Sequence, residues 1–123
     1  MLDLASVLSD PELGGASFSI HRAFYRLSQG EKELIREETY ETFGTVHPAR
    51  MEEIQLLPEE YRSSNILLIH SPVQLSTGRR LDDTTFTAPD RIIYSLQTWL
   101  VISVRDWYPF GFCRAYAVLQ KET

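Results

Sequence analysis

Residues 90–119, DRIIYSLQTWLVISVRDWYPFGFCRAYAVL, constrain the fold more than any other stretch of the chain. Short apolar and β-branched runs alternate there with turn signals. Arg91, Ile92, Ile93 and Tyr94 form one run, and residues 98–104 form a second. Residues 112–120 form a third. A strand there puts Cys113, Ala115, Ala117 and Leu119 on one face, and Phe112, Arg114, Tyr116 and Val118 on the other. Three such strands in succession predict a meander, the backbone of a small β-barrel or sandwich. Few charges interrupt it, and none stands where a catalytic group is expected. A scaffold of this kind points to binding or assembly.

The chain has 123 residues, which predicts one domain over residues 1–123. At 43% hydrophobic content it can build a core without disulfide or metal staples. Twelve basic against seventeen acidic side chains give a formal charge of -5. That balance argues against a strong non-specific grip on nucleic acid, which depends on Lys and Arg neutralising phosphates. The single cysteine, Cys113, has no internal disulfide partner, and its apolar strand face predicts a buried thiol. The first fifteen residues carry acids and no basic segment, so no signal peptide is expected there. No apolar run approaches the ~20 residues of a membrane helix.

Along the chain, residues 1–15 predict a short helix or arm, with helix over residues 2–8 and a stop at Pro11, Gly14 and Gly15. Residues 16–48 predict a long hairpin. Phe18, Ile20 and Phe24 recur with period two, and Gln29-Gly30 marks the turn. The return segment contains good helix formers, Glu31 to Glu41. Thr39, Thr42, Thr45 and Val46 are β-branched and favour a strand over residues 36–46. Met51, Ile54 and Leu57 have helical spacing, so a short helix is expected over residues 51–57, ended by Pro58. Residues 58–62 are either a specific binding motif or, more plainly, a turn held by Arg62 pairing with a nearby carboxylate. Residues 66–69 predict a strand buried on both faces. Residues 72–89 predict a polar loop or hairpin that projects from the barrel, mobile in the isolated subunit and ordered against a neighbouring copy or ring partner, with only Leu75, Leu81 and Phe86 to fix it.

No constellation for catalysis, cofactor or metal stands out. His21, His47 and His70 are far apart and lack neighbours at ligand spacing. Ser17, Ser19 and Ser28 lack a nucleophile-elbow context. Asp82 and Asp83 adjoin Arg79 and Arg80, which suits a self-compensating loop better than a cation or phosphate site. Trp107, Tyr108, Phe110 and Phe112 either form an interface cluster or fold onto their own barrel.

Several segments together resemble the small neck proteins of tailed bacteriophages, the head–tail connector and head-closure family. They are Gly44-Thr45-Val46-His47-Pro48-Ala49, Leu56-Leu57-Pro58-Glu59-Glu60-Tyr61-Arg62 and Asp90-Arg91-Ile92-Ile93-Tyr94. Trp99 to Trp107 and Gly111-Phe112-Cys113-Arg114-Ala115 complete the set. The likeness spans residues 44–119. Glu60 departs from it where the family often has glycine, and Trp99 where tyrosine is usual.

The resemblance implies a structural virion protein, not an enzyme, with no cofactor. It implies a β-barrel with a long loop or hairpin arm, assembled into a ring of twelve copies in preference to six. The implied partners are further copies, a portal or adaptor protein, and a tail terminator protein. DNA would pass through the ring without sequence-specific binding, in a virion assembled in the bacterial cytoplasm and without a membrane. Glu37, Glu38 and Glu41 suit an acidic channel lining. The subunit-interface candidates are Leu75, Arg79, Arg80, Leu81, Phe86, Trp107, Tyr108, Phe110 and Phe112. The alternatives are a tail terminator, tail-completion or baseplate subunit, and, from another class, a small enzymatic or ligand-binding barrel.

Overall fold

The computed structural model describes residues 15–62, 64–107 and 111–120, with backbone only for Asp106 and Trp107. These residues form eight antiparallel strands. In chain order they are β1 (Gly15–Ser28), β2 (Glu31–Pro48), β3 (Ile66–Ser71), β4 (Arg79–Arg80), β5 (Thr85–Thr87), β6 (Arg91–Tyr94), β7 (Gln97–Trp107) and β8 (Phe112–Leu119). One helical turn, α1 (Met51–Ile54), and a 3-10 turn at Glu59–Tyr61 link β2 to β3.

Hydrogen bonding closes on itself. The order β2-β3-β8-β7-β6-β1 returns to β2 through the β1–β2 pairing. This is a six-stranded barrel, and closure removes its edges. The expected meander is β6, β7 and β8. Cys113, Ala115 and Ala117 of β8 point inward with no exposed surface. Phe18, Ile20, Ile69, Ile92 and Val101 join them in the barrel interior. Burying each large aliphatic side chain contributes about 1.5–3 kcal/mol. Leu57, Ile66 and Val118 form a smaller cluster on the outside, roofed by Ile54 and Tyr61.

The β1–β2 hairpin outruns the barrel. Its strands pair from Gly15↔Thr45 to Ser28↔Glu31, with a bulge between Phe24 and Tyr25. Gln29 and Gly30 make the two-residue turn, with φ of 53° and 80°. Both positive angles match the turn type whose twist suits a hairpin. Beyond the barrel, β5 joins β1 at Phe24, Tyr25 and Arg26, and β4 joins β5. The arm is therefore a four-stranded sheet, β2-β1-β5-β4. Gly44 lies where β2 crosses β3. A Cβ there would stand 2.1 Å from the His70 carbonyl oxygen and 2.9 Å from Phe18 Cε1, so only glycine fits.

Three expectations need correction. Residues 72–89 project in part, as the β4–β5 hairpin on the arm, but they are anchored and do not form a free loop. Leu75 is 1% exposed inside the barrel core, Thr87 is 5% exposed, and Phe86 stacks on Tyr25 at 5.7 Å. The segment lacks apolar area, but backbone pairing to β1 and one deep leucine hold it. The helix at 51–57 shortens to α1, because the chain turns at Gln55 so that Leu57 can reach Ile66 and Val118. Arg62 pairs with no carboxylate among the described residues; its Nε donates to the Leu57 carbonyl at 3.2 Å. The helix expected over residues 2–8 lies outside the described residues.

Candidate functional site

Of the interface candidates, Leu75 is withdrawn, because a side chain in its own core cannot dock elsewhere. Arg79, Arg80 and Leu81 are exposed on the β4 side of the arm. Arg80 donates to the Asp82 and Asp83 carbonyls at 3.2 and 3.3 Å, tying the tip to itself. Hydrogen bonds from the Thr85 side chain and from the Thr84 and Thr85 amides hold Asp82 down to about 2. Phe86 is half-buried against Tyr25, and Phe112 meets the His70 ring edge-on at 5.4 Å. The side chains of Trp107, Tyr108 and Phe110 lie outside the described residues. The arm does carry exposed apolar side chains that the sequence did not single out: Leu27, Leu34 and Ile35.

At the root of the arm is an ion pair that the sequence did not reveal. Asp90 is fully buried. Arg22 Nε and Nη2 donate to its two carboxylate oxygens at 2.9 and 2.8 Å. The Ser76 amide donates to Asp90 Oδ2 at 2.8 Å, and Arg22 Nη2 also reaches the Gln74 carbonyl. The Asp90 hydrogen bond, offset in part by burial, raises the Arg22 pKa above its ordinary value. Burying a charge requires such full pairing. The pair joins β1 to the segment leading into β6.

Two grooves flank β2. The first, about 590 Å³, runs over Ser17 and Ser19 between Glu41 and Phe43 on one side and Ile93 and Leu96 on the other. Its walls are exposed: Phe43 at 56% and Leu96 at 97%. Leu96 sits in a Ser95-Leu96 turn with φ of 63°, a backbone region that leucine disfavours. Strand alternation sends Glu37, Thr39, Glu41 and Phe43 to the same outer side, and all four are exposed.

The second groove, about 630 Å³, is lined by His47, Arg50, Glu52, Glu53, Leu68, His70 and Arg114. Register builds it: Thr45 lies opposite His70 on β3, and His70 lies opposite Arg114 on β8. Arg114 in turn faces Arg105 on β7. Arg114 Nη2 donates to Glu53 Oε2 at 2.7 Å and to the Tyr116 hydroxyl at 2.9 Å, and Tyr116 donates to Glu53 at 2.5 Å. The Tyr116 hydrogen bond chiefly lowers the Glu53 pKa, against burial, and keeps Glu53 ionised. Burial, then Arg114 and His47, lower the His70 pKa, so its ring is neutral at pH 7. Its Nδ1 is 2.9 Å from the Thr45 hydroxyl. Arg50 has no ion-pair partner among the described residues. Its two arginines, Arg50 and Arg114, stand against two glutamates, Glu52 and Glu53. Among the described residues, no three His, Cys, Asp or Glu side chains converge as a metal site.

Sequence reasoning passed over the second groove because its histidines and arginines are scattered along the chain. Only strand register collects them. No helix among the described residues is long and apolar enough to cross a membrane. No protein-family model matches the chain, and neither does any curated protein.

Proposed function

We propose that this chain is a structural subunit of the neck of a tailed bacteriophage, forming a ring that joins the portal to the tail around the DNA channel. The observation that carries the reading is the arm. The barrel has closed its own edges, yet among the described residues β2 keeps an open edge over residues 31–44, where only β1 pairs with it. Open edges recruit neighbouring chains. Leu27, Leu34 and Ile35 are exposed on the same hairpin. An arm reaching from one copy to the next is a heterologous contact, and such contacts close into rings. The resemblance over residues 44–119 supports the same reading, and so does the acidic balance of the chain. Carboxylates such as Glu37, Glu38 and Glu41 repel phosphate and favour passage of DNA over retention.

The test is electron microscopy of virions with this subunit located by fitting. Density at the junction of portal and tail, repeated around the channel, is the expected result. Density confined to the far end of the tail would assign a tail-completion or baseplate role instead. Absence from the particle would overturn the virion assignment.

A further inference from the structure

We propose that the arm tip of one copy docks in the groove over Ser17 and Ser19 of a second copy, packing Leu27, Leu34 and Ile35 against Phe43, Ile93 and Leu96. This contact rests on the ring reading and names its interface. Ser17 and Ser19 give the groove a floor of small side chains. Phe43 on one wall, and Ile93 and Leu96 on the other, are exposed. Leu96 is held outward at a positive φ that leucine disfavours, a cost that burial against a neighbour offsets. At the tip, Leu27, Leu34 and Ile35 are exposed as well. Clustered apolar surface of this kind marks a contact.

Both patches lie on one face of the β1–β2 hairpin. Ser17 pairs with Phe43 and Ser19 with Glu41 near the barrel; Tyr25 pairs with Leu34 and Leu27 with Lys32 at the tip. Strand alternation sends these four β1 positions to the same side. The step from Ser19 to Leu27 along β1 spans about 27 Å. A subunit therefore cannot seat its tip in its own groove, and the occupant is a second copy. Charge points the same way. Glu41 is the one charged side chain among the described residues lining the groove, and it has no ion-pair partner among them. Arg91 shares its face one row along, opposite His21, and is not paired with it. Glu37, further along this face, meets His21 at 3.7 Å. On the tip, Lys32 has no ion-pair partner among the described residues, and its Nζ stands 5.1 Å from the Tyr25 ring centre. Glu31 and Glu33 alternate to the other face, opposite Ser28 and Arg26. The adjoining β4–β5 hairpin balances itself, Arg79 and Arg80 against Asp82 and Asp83. Lys32 of one copy thus meets Glu41 of the next as the leucines enter the groove. Each copy gives a tip and takes one, as a ring needs.

Charge reversal tests the contact. One variant carries Lys32→Glu and another Glu41→Lys. Two more, Leu34→Thr and Phe43→Thr, remove apolar surface from the tip and from the groove. All four positions are exposed, and unchanged thermal melting will confirm that each variant folds. Self-association is measured by sedimentation from micromolar to millimolar subunit concentration at low salt. The native chain is expected to associate, and each variant alone to do so about fivefold or more weakly. An equimolar mixture of the Lys32→Glu and Glu41→Lys chains restores association, because each tip then finds a groove of opposite charge in the other chain. One chain carrying both reversals recovers by itself.

Association that survives all four variants overturns this interface and leaves the ring reading standing. A native chain that stays monomeric at millimolar concentration also overturns it, while microscopy of the particle decides the ring separately. Failure of the mixture to recover would mean that tip and groove do not meet, and it too overturns the pairing. Association that is indifferent to Lys32 and Leu34 but lost on removing residues 1–13 would give the groove to that segment and overturn the pairing. A charge-dependent species that stops at two copies supports the contact, as a reciprocal one, and counts against the ring.

Discussion

Removing the Asp90 carboxylate leaves Arg22 charged, largely buried and without its bidentate partner. It also frees the Ser76 amide. Asp90→Ala is expected to destabilise the fold by about 3–5 kcal/mol, the usual loss when one member of a buried pair goes. Replacing both residues, Arg22→Met with Asp90→Leu, should cost clearly less. Urea unfolding of the three variants checks the order. His70 gives a second, pH-dependent prediction. Its folded pKa lies below the ordinary 6.5. Between those two values the unfolded chain binds more protons, so stability rises with pH through that window and levels off above 6.5. Melting temperature should therefore fall as pH drops from 7 towards 5. His70→Asn, which keeps a polar atom near the Nδ1 position, should flatten that slope. The Glu53 contribution is lost at lower pH, as pH falls below the ordinary carboxylate value. Neither Arg22 nor the relation of His70 to Arg114 was legible in the sequence. Asp90 and Arg22 are separated by 68 positions. No local pattern marks a pair that only barrel closure creates.

The Ser95-Leu96 turn joins β6 to β7 with both residues at positive φ and Leu96 almost wholly exposed. Asparagine favours that backbone region, and leucine does not. Leu96→Asn should raise stability by about 0.5–1 kcal/mol. If Leu96 serves a contact between copies, the same change weakens association. Thermal melting and sedimentation, run on one preparation, should move in opposite directions. The β6–β7–β8 meander was legible because each strand alternates cleanly and is bounded by turn residues. The long hairpin was legible for the same reason, and its β-branched threonines outweighed the helix formers from Glu31 to Glu41. Residues 72–89 were legible only in part: the hairpin is there, as β4 and β5, but its anchoring was not foreseen. Their composition is that of a loop, and what holds them is Leu75 in the core, pairing of Phe86 and Thr87 to β1, and Asp90 bound to Ser76. Those are long-range contacts that composition does not encode.

Taken as a whole molecule, the chain divides into a closed barrel with its own core and an arm whose outer half has little buried apolar surface. Replacing residues 27–32 with a two-residue Asn-Gly turn shortens the hairpin above the β5 pairing at Phe24, Tyr25 and Arg26. The barrel should retain its strand content by circular dichroism and lose no more than about 1 kcal/mol, because the removed residues are exposed. If the arm joins neighbouring subunits, self-association should be reduced or lost. Full retention of association would move the contact back onto the barrel.

Because β1 and β2 run unbroken from barrel into arm, a pull on the arm tip along its length acts in line with the strands. The cross-strand hydrogen bonds would then be strained together, as in shear, and would not peel one after another. The Arg22–Asp90 clamp fixes the point where the arm leaves the barrel. Arm and barrel should thus behave as one stiff lever, passing force from a neighbouring subunit into the barrel wall with little flexing at the root.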